Sequence, residues 1–214
     1  MQIEPFTLHV PQTQIDDLHR RIDMTRWAER ETVDDWSQGT PLAALRELVR
    51  YWREEYDWRR CEAWLNATGQ FTARIDGLSI HFLHVRSRHE NATPLVLTHG
   101  WPGSILEFRN CIAALTDPEA HGGTAEDAFH VVIPALPGFG FSGKPTQAGW
   151  GVERIGRAWG ELMRGLGYAR WFAQGGDWGS AVTTAIALQK VEGCAGIHLN
   201  MPIARPQPED LAAP

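Results

Sequence analysis

Hydrophobic spacing changes along the chain, and each change predicts a different kind of element. Up to residue 66, apolar side chains recur at helical intervals. Ile15, Leu18 and Ile22 predict a helix after Val10-Pro11, with Thr13 as its capping candidate. Leu42, Leu45, Val49, Trp52 and Tyr56 predict a second helix, capped by Thr40 with Pro41 in its first position. Trp27, Trp36, Trp52, Trp58 and Trp64 share this segment, and an aromatic stripe on helices is expected to pack as core. The period then shortens to two. Phe71 to Ile75 and Leu78 to Val85 flank Asp76-Gly77, a pair suited to a two-residue hairpin turn.

Beyond the hairpin, short apolar runs alternate with helical patterns. Strands are predicted at Pro94 to Thr98, His130 to Leu136, Arg170 to Gln174 and Gly196 to Asn200. Helices are predicted near Ser104 to Leu115, Val152 to Leu166 and Ser180 to Val191. Such alternation predicts an α/β fold with a mostly parallel sheet, covered on both faces. The tail from Met201 to Pro214 carries four prolines and no period.

Composition narrows the functional classes. The formal charge is −6, from 26 acidic and 20 basic residues, and all the basic residues except Lys144 and Lys190 are scattered arginines. A nucleic-acid groove would need a basic stripe. No apolar run approaches the roughly 20 residues that span a bilayer, and Met1-Gln2-Ile3-Glu4-Pro5 has no signal-peptide pattern. Cys61, Cys111 and Cys194 are odd in number and far apart, as expected of reduced thiols. A cytoplasmic protein with no nucleic-acid or membrane partner is expected. His81 and His84 lie three apart on a predicted strand and so on opposite faces, and neither HExxH nor paired CxxC occurs, so no metal is expected.

The candidate chemistry sits between the third of those strands and its following helix. Gly175-Gly176-Asp177-Trp178-Gly179 has the small-x-nucleophile-x-small pattern of a nucleophile elbow, with Asp in the nucleophile position. As a bland alternative, Asp177 caps the helix. A carboxylate is already ionised at neutral pH and can displace at a saturated carbon without a base. His99-Gly100-Trp101-Pro102-Gly103 follows the first parallel strand, where a loop can offer a backbone N–H to an oxyanion. The N–H of Trp178 would be the matching donor.

These motifs, together with Thr25-Arg26-Trp27, Tyr56-Asp57-Trp58-Arg59, Ile75-Asp76-Gly77, Ile80-His81-Phe82, Ser104, Pro137-Gly138-Phe139-Gly140-Phe141-Ser142 and Gln174, carry a resemblance. The chain resembles the N-terminal half of the microsomal-type epoxide hydrolases, which have an α/β-hydrolase fold. The resemblance implies a truncated α/β-hydrolase fold with a helical N-terminal arm and β-hairpin, the lid and last strands missing. It divides the chain into an N-terminal region (1–93), the first part of the hydrolase core (94–201) and a linker toward a lid (202–214). It implies that Asp177 opens an epoxide to an alkyl ester, with the Trp101 and Trp178 N–H groups stabilising the later oxyanion, and that water is cosubstrate with no cofactor.

The family's two lid tyrosines and its late histidine base have no counterparts here. The tyrosines are Tyr51, Tyr56 and Tyr168. After Asp177 come only His198, within a predicted strand, and the acids Glu192, Glu209 and Asp210. A chain unable to turn over is expected, with an apolar sheet edge open to association. Rival readings are a haloalkane dehalogenase-like hydrolase, against which the long N-terminal arm speaks, and a non-catalytic interaction module. Gly138-Phe139-Gly140-Phe141-Ser142-Gly143 matches G-x-G-x-x-G, but Pro145 stands where a dinucleotide-binding helix should run.

Overall fold

The computed structural model describes residues 1–203. Most of the expected 202–214 linker, including Glu209 and Asp210, lies outside the described residues. The chain divides into two compact units, Leu8–Ala67 and Met1–Thr7 with Thr68 onward.

The unit Leu8–Ala67 holds three helices, α1 (Gln12–Asp23), α2 (Leu42–Glu54) and α3 (Trp58–Thr68). Side chains of α3 stitch the entering strand of chain to it. Asn66 Oδ1 accepts from Leu8 N at 2.8 Å, and Glu62 Oε1 accepts from Val10 N at 2.7 Å. Arg59 donates to Val10 O and to Glu62. Three expectations need correction. Thr13 does not cap α1, because Pro11 is in the capping position and places Thr13 inside the first turn. Thr40 does not cap α2 either. Pro41 is still extended (ψ 140°), so the helix begins one residue later, and its Leu42 N–H donates to the Glu31 carboxylate at 2.8 Å. Nor do all five tryptophans pack as core. Trp36 is 65% and Trp52 44% exposed, and α1 and α2 contain no buried residue.

The other unit is built on a seven-stranded sheet in the order β1-β2-β3-β5-β4-β6-β7. Its strands are β1 (Ile3–Pro5), β2 (Gln70–Ile75), β3 (Leu78–Val85), β4 (Thr93–Thr98), β5 (Phe129–Pro134), β6 (Trp171–Gly175) and β7 (Cys194–Leu199). β1, β2, β3 and β5 pair antiparallel, whereas β5, β4, β6 and β7 pair parallel. The β2–β3 hairpin turns at Asp76 (φ 48°) and Gly77 (φ 82°), the paired left-handed conformation that suits strand twist. β1 was not expected; three residues ending in proline leave no readable alternation.

Helices α5 (Val152–Gly165) and α6 (Trp178–Leu188) supply the main core layer. Trp159, Leu162 and Met163 of α5 and Ile186 of α6 are fully buried in one cluster with Ile80, Phe82, Val96, Val132 and Trp171 from the strands. The helix expected over Ser104 to Leu115 is broken. Ser104 and Glu107 form a reciprocal cap on a 3-10 turn (Ile105–Phe108), and α4 (Ile112–Thr116) follows as a separate short helix. Arg109-Asn110-Cys111 lies between them, and Asn and Cys are weak helix formers. Cover on the second sheet face is therefore incomplete among the described residues. A groove of about 590 Å³ stays open, bordered by Leu95, Leu97, Phe108, Leu115, Phe172 and Ile197. Among the described residues no helix is long and apolar enough to cross a membrane.

Candidate active site

The parallel strands β4 and β6 lie side by side, so their C-terminal ends bring together the two loops marked by the sequence. β6 ends at Gly175, and α6 begins at Trp178. Between them Asp177 adopts φ 51°, ψ −127°, a sparsely populated conformation costing about 1–3 kcal/mol. The crowding around this bend explains its flanking residues. A Cβ on Gly175 would lie 2.1 Å from Gly179 O, and one on Gly179 would lie 2.0 Å from Thr98 O. Neither position can hold a side chain. Gly176 differs: its added Cβ would meet Asn200 at an ordinary 3.6 Å, so sterics do not demand glycine there.

Asp177 occupies the capping position of α6 but makes no side-chain cap bond to it. Its Oδ1 instead accepts from the N–H of Trp101 at 2.6 Å, across the gap to the loop after β4. The carboxyl is held below the usual aspartate range, first by the Trp101 N–H and then by the Trp178 N–H, against a smaller opposing effect of burial. The structure thus places Asp177, Trp101 and Trp178 in one cluster. The approach is close, because a Cβ on Gly100 would sit 2.4 Å from Asp177 Oδ1. The Asp177 side chain is exposed, as are the indoles of Trp101 (64%) and Trp178 (56%). The Trp101-Pro102 peptide is cis.

Two side chains brace this cluster: Trp159, which no motif marks, and His99, which the His99–Gly103 motif marks without naming its partners. Trp159 Nε1 donates to Thr98 Oγ1 at 3.1 Å, pinning the end of β4 from the core. His99, 1% exposed, is hydrogen-bonded through both ring nitrogens, to Gly100 O and to Leu136 N. A buried tryptophan or histidine must find such partners, but nothing local in the sequence names them.

Other marked residues go elsewhere. His198 sits within β7, registered against Gln174. His81 pairs with Gln70 and His84 with Tyr168. In the Gly138–Gly143 loop, Gly138 N donates to Gly143 O and Gly143 N to Ser79 O, so the loop spends these amides on its own closure and on β3. Among the described residues no three His, Cys, Asp or Glu side chains are placed to hold a metal.

Two family models match overlapping stretches of the chain. Residues 3–108 match the family described as epoxide hydrolase N terminus, and residues 93–214 match the alpha/beta hydrolase fold family. A provisionally named epoxide hydrolase of Stigmatella aurantiaca is 62% identical over 96% of this chain and 47% of its own length. Epoxide hydrolase 1 of Oryctolagus cuniculus is 37% identical over 93% of this chain and 45% of its own. Among solved structures, the Aspergillus niger epoxide hydrolase superposes with a TM-score of 0.83 at 35% identity, covering 100% of this chain and 57% of that one. The chain spans about half the length of the curated relatives it matches. By these matches and by its sheet order and elbow, the chain belongs to the α/β-hydrolase fold family, in the branch that carries the epoxide hydrolase N terminus.

Proposed function

We propose that Asp177 is the nucleophile of an epoxide hydrolase and that residues 1–214 carry the half of the site that forms the covalent ester. The observation that carries this reading is an ionised carboxylate at a strained bend, with Oδ1 held 2.6 Å from the Trp101 N–H. One oxygen is anchored and the side chain is open to an approaching substrate. Attack by Asp177 on an epoxide carbon forms a C–O ester bond. The ring C–O bond breaks, its electron pair passes to the ring oxygen, and the alkoxide takes a proton from water. Hydrolysis of that ester would add water to Cγ and place the negative charge on the oxygen facing the two N–H groups, which a preorganised pair of donors stabilises. Release of a vicinal diol would restore the carboxylate.

The lowered Asp177 pKa suits the first step, whereas in the second the carboxyl is an ester and the proton that must be removed belongs to water. The nucleophile is charged without help, but ester cleavage calls for a base beside water. Within residues 1–214 the tyrosines are Tyr51, Tyr56 and Tyr168, and the histidine following Asp177 is His198 in β7. The 214-residue chain is therefore proposed to take up one adduct and release no diol. Incubation with styrene oxide followed by intact-mass measurement tests this. A single mass increment in the wild type and none in Asp177→Asn is expected. Continuous diol release would refute the single-adduct part, and an increment undiminished in Asp177→Asn would refute the assignment of the nucleophile.

A further inference from the structure

The Trp101 N–H belongs to the same planar peptide unit as the Gly100 carbonyl, and the two point in opposite directions across it. Fixing one end of that unit fixes the other. His99 Nε2 lies 3.1 Å from Leu136 N, which can only donate, so Nε2 is the acceptor and carries no proton. Nδ1 therefore bears the hydrogen and donates it to Gly100 O at 2.9 Å. The other end of the same peptide donates to Asp177 Oδ1 at 2.6 Å. We infer that His99 is a positioning residue, whose neutral Nδ1–H tautomer holds the Gly100–Trp101 peptide so that its N–H faces the Asp177 carboxylate. This rests on the proposed epoxide chemistry only for its catalytic consequence.

Three further observations support the inference. The ring is 1% exposed and stands edge-on to Phe139 with centroids 5.4 Å apart, so it has little room to turn. Burial pushes the His99 imidazole below its ordinary range, outweighing the opposing effects of the Gly100 carbonyl and the Glu107 carboxylate, which keeps the ring neutral. A donor on the carbonyl also polarises the peptide, strengthening the N–H at its far end. Leu136 lies just past β5, so the imidazole ties the donor loop to a neighbouring strand end.

The test uses isosteres that divide the two bonds. The amide N of asparagine can replace Nδ1 and keep the Gly100 contact, whereas the amide of glutamine reaches the Nε2 position and keeps the Leu136 contact. His99→Gln is expected to slow single-turnover labelling of Asp177 by styrene oxide about tenfold to a hundredfold, and to move the Trp101 amide proton upfield. His99→Asn is expected to retain most of the rate and the wild-type Trp101 shift. Long-range nitrogen–proton NMR of the wild type should show the Nδ1–H tautomer, a readout that needs no variant to fold. An Nε2–H tautomer would overturn the inference. So would a Trp101 amide unmoved in His99→Gln, or equal loss of rate in both variants. If the wild type takes no label at Asp177 while the tautomer and the Trp101 response appear as expected, the epoxide reading falls and the positioning role stands.

Discussion

Helices α2 and α5 have similar patterns in sequence and opposite environments in the structure. Each alternates an apolar stripe with charged residues. Yet α5 buries Ile155, Ala158, Trp159, Leu162 and Met163, whereas α2 buries nothing, leaving Leu48 64% and Trp52 44% exposed. The contrast extends to charge. Both units have carboxylates held low by arginines or backbone N–H groups, such as Asp17, Asp23, Glu31 and Glu62 in Leu8–Ala67 and Glu119, Asp127 and Asp177 in the other, but buried histidines set the sheet unit apart. In the sheet unit, burial holds His81, His84, His99 and His130 neutral. Periodicity therefore reports which side of a helix is apolar, while burial is decided by what the chain brings to that side.

The largest expected break in this contrast comes from removing the α5 tryptophan. Trp159→Ala should cost about 3–5 kcal/mol by leaving a cavity, and it also removes the donor to Thr98. Chemical denaturation measures the loss. Acid should separate the two regions next. His81 and His84 are pushed down to about 4 by burial, so the unfolded chain takes up protons first as pH falls from 6.5. Their stabilisation is complete above pH 6.5 and is lost as pH falls through about 4, on the order of 3 kcal/mol for His81. The depressed carboxylates of Leu8–Ala67 lose their contribution only at lower pH. Amide exchange in β3 should rise between pH 6.5 and 4, before exchange in α1 rises. A smaller effect is expected at the start of α2. Glu31→Gln should lower the melting temperature slightly by weakening the charged acceptor of Leu42 N–H. Least of all, Leu48→Ala on the exposed stripe should change stability by no more than about 0.5 kcal/mol.

What could be read from sequence was governed by local chemistry. The Asp76-Gly77 turn, the strand–helix alternation and the elbow were legible because each is enforced within a few residues; Gly175 and Gly179 are required by contacts of 2.1 and 2.0 Å. The strand order was not, since β5 inserts between β3 and β4 by pairing antiparallel to one and parallel to the other. The capping of α2 was misread because its partner, Glu31, lies eleven residues away. For the site, Asp177, Trp101 and Trp178 were marked by motif. The anchors behind them, His99 to Leu136 and Trp159 to Thr98, join positions 37 and 61 residues apart and are visible only in the fold.

The central claim is that the carboxylate held by two backbone N–H groups does the bond-making. Peptide mapping of the chain after brief exposure to styrene oxide tests it most directly, with the exposed thiol of Cys111 as an internal competitor. The expected result is an early ester on Asp177, absent in Asp177→Asn while Cys111 labelling is unchanged. Label confined to Cys111, with Asp177 recovered unmodified at every time, would contradict the account.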